Sequence, residues 1–341
     1  YRGYDSAGIA VLDGSTIELA KACGVIKNLF AKTHDGEDLH GYIGLGHTRW
    51  ATHGAPTEAN AHPHVSNDGK FAIVQNGIIE NFMELREMLQ AKGFVFHSET
   101  DTEVIVHLLD MYYTGDGNLK DTVMKTLGRL EGSYAIGILC ADCPEQMFLA
   151  RNGCPLIIGV GAGENFFASD VTALVSHTKN VVYLDDGELA EVRADSYTVF
   201  DCTGKPMQKP VSRVAWDIEA AEKGGYEHFM LKEIMEQPRA IKSTLDPRVK
   251  DHRVVFDELK MTDAQLMGFN KIMITACGSA FYAGQAGKYA LEKLTHIPVD
   301  ADLASEFRYR DPIVDEHTLM IIISQSGETA DTIAAIREAQ G

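Results

Sequence analysis

The stretch Ile321-Ile322-Ile323-Ser324-Gln325-Ser326-Gly327-Glu328-Thr329 passes from branched apolar residues to a loop of hydroxyls and glycine, and then into a helix-forming run to Gln340. A short apolar run closed by small polar residues reads as a buried strand. The same order occurs upstream, where Lys271 to Ala276 runs into Cys277-Gly278-Ser279-Ala280 and a helix to Leu294. Strands alternating with helices in this way predict a parallel, doubly wound sheet. Where such a strand delivers a loop to a helix start, unpaired N–H groups and the positive dipole end attract an anion. With neither a Walker lysine nor G-x-G-x-x-G, hydroxyls and amides suit a sugar phosphate better than a nucleoside triphosphate. On the pattern alone, the serines serve equally well as helix caps.

The first part of the chain has a different rhythm. Short β-rich runs follow one another from Gly8–Leu12 through Gly41–His47, Phe71–Gln75, Tyr134–Cys140 and Leu156–Val160 to Glu188–Arg193, many separated by turns such as Asn67-Asp68-Gly69-Lys70. Two helical patterns interrupt them, Asn81–Lys92 and Asp101–Tyr113. Strand runs with a few helices predict an α+β layered sandwich over residues 1–200. Residues 201–263 read as a connector, and 264–341 as the start of the doubly wound domain. A chain of 341 residues exceeds what one core usually organises.

Composition narrows the function classes. A formal net charge of -18, with the 31 Lys and Arg scattered, disfavours nucleic acid and anionic membrane surfaces as partners. No apolar run approaches the roughly 20 residues that span a bilayer, and Tyr1-Arg2-Gly3-Tyr4-Asp5 is not the opening of a signal peptide. Six dispersed cysteines point to reduced thiols in a cytoplasmic protein. Both ends read as cut, so the chain is expected to be a fragment.

His47-Thr48-Arg49-Trp50-Ala51-Thr52-His53-Gly54 puts a fixed cation, an aromatic ring and hydroxyls directly after a strand. Such an arginine can clamp a carboxylate and Trp50 can act as a lid, although an exposed Arg beside a surface Trp fits too. Asn76-Gly77 ends an apolar strand, where it offers either two donors to a developing oxyanion or a tight turn. Asp101 sits where a helix begins, as a cap or as an acceptor for a substrate ammonium. The C-x-x-C of Cys140 and Cys143 has no second pair, His53, His62 and His64 lack helical ligand spacing, and no metal site or cofactor is expected. Cys277 reads as packing.

Tyr1 to Gly8, His47 to Gly54, Asn76-Gly77-Ile78-Ile79-Glu80-Asn81, Ser98 to Glu103, Ala304-Ser305-Glu306-Phe307-Arg308-Tyr309-Arg310 and Ser324 to Thr329 follow the order seen in one family. Together they resemble the glutamine–fructose-6-phosphate aminotransferases (isomerizing), over essentially the whole chain. The resemblance implies an N-terminal-nucleophile hydrolase-type α/β/β/α sandwich, truncated at its start, followed by an incomplete first sugar isomerase (SIS) domain. It implies L-glutamine and D-fructose 6-phosphate as substrates and a homodimer in full-length form. Arg49 would hold the glutamine α-carboxylate with Thr52 beside it, Asp101 would receive the α-ammonium, Asn76 and Gly77 would form the oxyanion hole, and Trp50 would gate an ammonia channel. Ser324, Gln325, Ser326, Thr329 and Ser279 would bind the sugar phosphate. Ala280 stands where the family often has a hydroxyl, so it receives no contact. The family's nucleophile is an N-terminal cysteine expected upstream of Tyr1. The chain is therefore expected to be inactive on its own, and a non-catalytic sugar-phosphate-binding or regulatory module is the alternative.

Overall fold

The computed structural model describes residues 5–49, 54–115, 117–214, 226–250, 253–256, 259, 261–325 and 329–340. The chain forms two compact units, Tyr1–Gly224 and Gly225–Gly341.

In the first unit β1 (Ser6–Asp13) pairs antiparallel with β2 (Thr16–Cys23) and β3 (Ile43–Arg49). The β1–β2 hairpin turns through Gly14 at φ +58°, a conformation glycine adopts without strain. Helix α1 (Ile26–Lys32) lays Leu29 against Ala7 and Ala22 on one face of this sheet. A seven-stranded sheet follows the order β13 (Pro206–Met207), β12 (Tyr197–Phe200), β11 (Leu189–Val192), β7 (Met147–Asn152), β6 (Gly132–Cys140), β5 (Phe71–Ile79), β4 (His64–Val65). A third sheet joins β14 (Ser212–Arg213), β10 (Asn180–Tyr183), β8 (Ile157–Val160) and β9 (Asn165–Ala168).

Strand alternation divides the core. Phe71, Ile73 and Ile79 of β5, with Ile136 and Ile138 of β6, face α2 (Phe82–Ala91), α3 (Glu103–Tyr112) and α4 (Leu119–Leu127). The intervening Ala72 and Val74, with Ala135 and Leu139, pack against Ala10, Leu45, Ile158 and Val182 of the two smaller sheets. This is the expected α/β/β/α layering. Residues of the segment read as a connector form β13 and β14, each a two-residue strand at a sheet edge.

The second unit opens with α5 (Phe229–Leu245), a hairpin of β15 (Val249–Lys250) and β16 (Arg253–Val254), and α6 (Asp263–Leu266). Its parallel sheet has β17 (Lys271–Ala276) between β18 (Val299–Leu303) and β19 (Thr318–Ile323). Met273 packs on one face with Ala304 and Phe307 of α8 (Ala304–Phe307) and Ala335 of α9 (Ala330–Gln340). Ile272 and Ile274 pack on the other face with Leu291 of α7 (Gly278–Thr295). Helices on both faces of parallel strands make this the doubly wound arrangement expected for residues 264–341.

Candidate active site

Arg49 is the last residue of β3, paired with Ser6 across the sheet and only 4% exposed. Its guanidinium donates to the carbonyls of Gly54 at 3.2 Å and Ala55 at 3.3 Å. The same loop is pinned by Asn60, whose amide donates to Ala55 O at 2.9 Å and accepts from Glu99 N at 2.8 Å. The segment before α3 is thereby held beside the end of β3. Trp50, Thr52 and His53 lie outside the described residues.

Asn76 and Gly77 are not a hairpin turn. Both lie within β5, opposite Ala135 and Tyr134 of β6. Gly77 has φ +116°, and a Cβ there would lie 2.1 Å from the Ser133 carbonyl oxygen, so no other residue fits this backbone. The neighbouring Asn76 has Oδ1 2.8 Å from His47 Nε2. Its Nδ2 has no acceptor among the described residues.

Asp101 does not cap α3. Thr102 occupies the cap position, and Asp101 Oδ2 accepts from the Ile79 amide at 2.8 Å, tying the start of α3 to the end of β5. Arg49, Asn76, Gly77 and Asp101 all line one cavity of about 850 Å³. A fixed cation, a fixed carboxylate and amide donors on one cavity can hold a zwitterion by both charged ends and present donors to its side chain.

A polar network that local sequence patterns do not reveal forms part of this cavity's wall. The His47 and His62 rings stack at 4.3 Å, and His64 meets His62 edge-on at 4.9 Å. His62 Nδ1 accepts from the Gln75 amide, and Thr102 Oγ1 donates to Gln75 Oε1 at 2.8 Å. Burial lowers the pKa of His47 and pushes His62 well below the usual histidine range. Burial, with the positive charge of Lys21 behind it, brings His64 down to about 3. All three rings are neutral at pH 7. Burial opposes the Glu103 charge, but the His107 ring 3.5 Å away and bonds from the His97 and Ser98 amides and the Ser98 hydroxyl outweigh it and hold the carboxyl at about 2. His62 and His64 are thus buried members of this network, and Gln75 carries a buried Nε2 with no partner among the described residues.

In the second unit the register Ala276↔Ile323 aligns the ends of β17 and β19. Ser279, in the first turn of α7, and Ser324, Gln325 and Thr329 between β19 and α9 therefore follow strand ends on the same edge of the sheet. Thr332 Oγ1 of α9 donates to Cys277 Sγ at 3.7 Å, linking that helix to the loop after β17. Arg308 Nη1 bonds Asp331 Oδ1 at 3.1 Å and ties the segment after α8 to the same helix. Ser326 lies outside the described residues.

Comparison with known proteins agrees with both halves. Residues 14–215 match the family described as glutamine amidotransferase domain, and residues 265–341 match the SIS domain. The chain is 52% identical over 341 residues to the glutamine–fructose-6-phosphate aminotransferase [isomerizing] of Caldanaerobacter subterraneus subsp. tengcongensis, covering 100% of this chain and 56% of the relative. It is 50% identical over 349 residues to the protein of that name from Methanosarcina acetivorans, covering 99% and 56%. The chain thus spans about half the length of the relatives it matches. Among solved structures, the glutamine phosphoribosylpyrophosphate amidotransferase of B. subtilis complexed with ADP and GMP superimposes with a TM-score of 0.52 at 20% identity, covering 92% of this chain and 63% of that one. That likeness concerns the fold. With a sandwich of amidotransferase type and a family match over more than half its length, the chain belongs to the glutamine amidotransferase family and continues into an SIS domain.

Proposed function

We propose that the protein of which this chain is part hydrolyses glutamine and delivers the ammonia to fructose 6-phosphate, forming glucosamine 6-phosphate. The observation that carries this reading is the convergence of Arg49, Asn76, Gly77 and Asp101 on one cavity. Arg49 binds the glutamine α-carboxylate with Thr52 beside it, and Asp101 binds the α-ammonium. Attack on the side-chain amide places negative charge on its oxygen, which Asn76 Nδ2 and the Gly77 N–H stabilise as donors. Trp50 gates the passage of ammonia. Ser324, Gln325, Ser326, Thr329 and Ser279 hold the sugar phosphate by hydroxyl and amide donation at the α7 and α9 starts. The glutaminase half is assigned to residues 1–200, the connector to 201–263 and the first isomerase domain to 264–341, in a cytoplasmic homodimer.

The attacking group is a cysteine thiol whose own terminal amine removes its proton. Neither candidate within Tyr1–Gly341 replaces it. Cys23 lies within the chain, with Sγ 3.5 Å from the Pro56 carbonyl, and Cys277 belongs to the other unit. Glutamate release is to be compared between the polypeptide Tyr1–Gly341 and one extended by its native upstream segment beginning with cysteine. Turnover confined to the extended form is expected, and equal turnover would overturn the nucleophile assignment.

A further inference from the structure

We propose that His47 is a positioning residue: it fixes the Asn76 side-chain amide so that Nδ2, and not Oδ1, is offered to the substrate. The inference rests on reading the cavity as a glutamine site. A carboxamide has two ends of nearly equal shape and opposite polarity, so an asparagine serves an oxyanion only when something holds its donor end forward. Asn76 is exposed in the strand β5, and among the described residues its side-chain amide meets only His47.

His47 supplies that hold from β3. Its Nε2 lies 2.8 Å from Asn76 Oδ1, and its Nδ1 is buried with no hydrogen-bond partner among the described residues. A proton on Nδ1 would be a buried donor without an acceptor, whereas a proton on Nε2 has Asn76 Oδ1 to meet. The Gln75 backbone also approaches the ring without meeting Nδ1 in hydrogen-bond geometry, and burial favours the neutral ring, whose single proton Asn76 Oδ1 draws to Nε2. The ring plane is fixed in turn. It stacks on His62 with an interplanar angle of 19°, and His62 is anchored by the Gln75 amide at 3.2 Å. Reversing the Asn76 amide would bring its N–H₂ against the His47 N–H, donor against donor.

The test uses the full-length protein with its native segments on both sides. His47→Phe keeps a flat ring and removes the donor, and His47→Gln keeps an N–H within reach of Asn76. His47→Phe should lower kcat for glutamine hydrolysis by about 10- to 100-fold, the usual cost of removing an orienting group, with little change in KM. His47→Gln should restore part of that loss, and His47→Phe should cost nothing further in an Asn76→Ala background. Wild-type kcat in His47→Phe, or a full additive loss on top of Asn76→Ala, would overturn the proposal. Nitrogen-15 spectra of histidine-labelled protein give a second readout that needs no turnover. A proton on Nε2 of His47 is expected, and one on Nδ1 would refute the amide orientation even if His47→Phe fails to fold. A wild-type protein that hydrolyses no glutamine would instead sink the glutaminase reading, leaving the tautomer to decide the orientation separately.

Discussion

Gly77 and Ser133 approach so closely across the β5–β6 ladder that a Cβ on residue 77 would lie 2.1 Å from the Ser133 carbonyl oxygen, at a φ of +116°. Overpacking and a strained backbone coincide at this position. Gly77→Ala is expected to cost about 3 kcal/mol of stability. At least about a 100-fold loss of glutamine hydrolysis should accompany it, as for loss of an oxyanion donor. Gly69 provides the contrast, since it has φ +74° with no atom within 4 Å of its Cβ position. Gly69→Ala should cost only the strain, about 1 kcal/mol. Equal losses in urea unfolding would show that the Ser133 contact is not the cause.

Acid should weaken the first unit in two stages. His64 is held neutral down to about 3, so below the ordinary histidine value of 6.5 the unfolded chain takes up a proton that the folded chain refuses. Stability from this group is complete above pH 6.5 and is lost as pH falls toward 3, by at most about 1.4 kcal/mol per pH unit. Glu103, depressed from 4.5 to about 2, adds a loss only below pH 4.5. His64→Gln should therefore reduce the stability difference between pH 7 and pH 5 measured by urea unfolding. An unchanged difference would mean that His64 does not carry the effect.

Substrate ends can be separated by substitution. Arg49→Lys keeps the charge and loses the planar fork, while Asp101→Asn keeps an oxygen for the Ile79 amide at 2.8 Å and loses the charge. Each should raise the KM for glutamine by about 10- to 100-fold in the full-length enzyme, the worth of one hydrogen bond to a charged group. A KM unchanged in both would remove these residues from the glutamine site.

The residues proposed to hold the sugar phosphate lie in the other compact unit. Ser326→Ala or Thr329→Ala should raise the KM for fructose 6-phosphate by about 5- to 10-fold, the worth of one neutral hydrogen bond, and leave glutamine hydrolysis intact. Parallel loss of both activities would contradict the assignment.

Much of the fold was legible because its signals are local. Thr318–Ile323 is a strand leading through polar residues to a helix at Ala330, and α3 buries seven consecutive residues, Glu103 to Leu109, five of them apolar. The strand β2 and the helix α1 were not legible. Leu19 of β2 is 43% exposed, and α1 buries only Leu29, so neither carries a strong period.

The site divides along the same line. Residue types in order, Arg49, Asn76-Gly77, Asp101 and Ser324 to Thr329, follow from the sequence because each motif is contiguous. Sequence left open whether Asn76-Gly77 turns the chain and whether Asp101 caps a helix. Only the tertiary structure decided these, by extending β5 to Ile79 and bringing the Ile79 amide to Asp101. The His47–Asn76 bond and the His47–His62 stack could be decided nowhere else. They join β3, β5 and the segment before β4, and contacts between distant segments exist only once sheet register and burial have brought those backbones together.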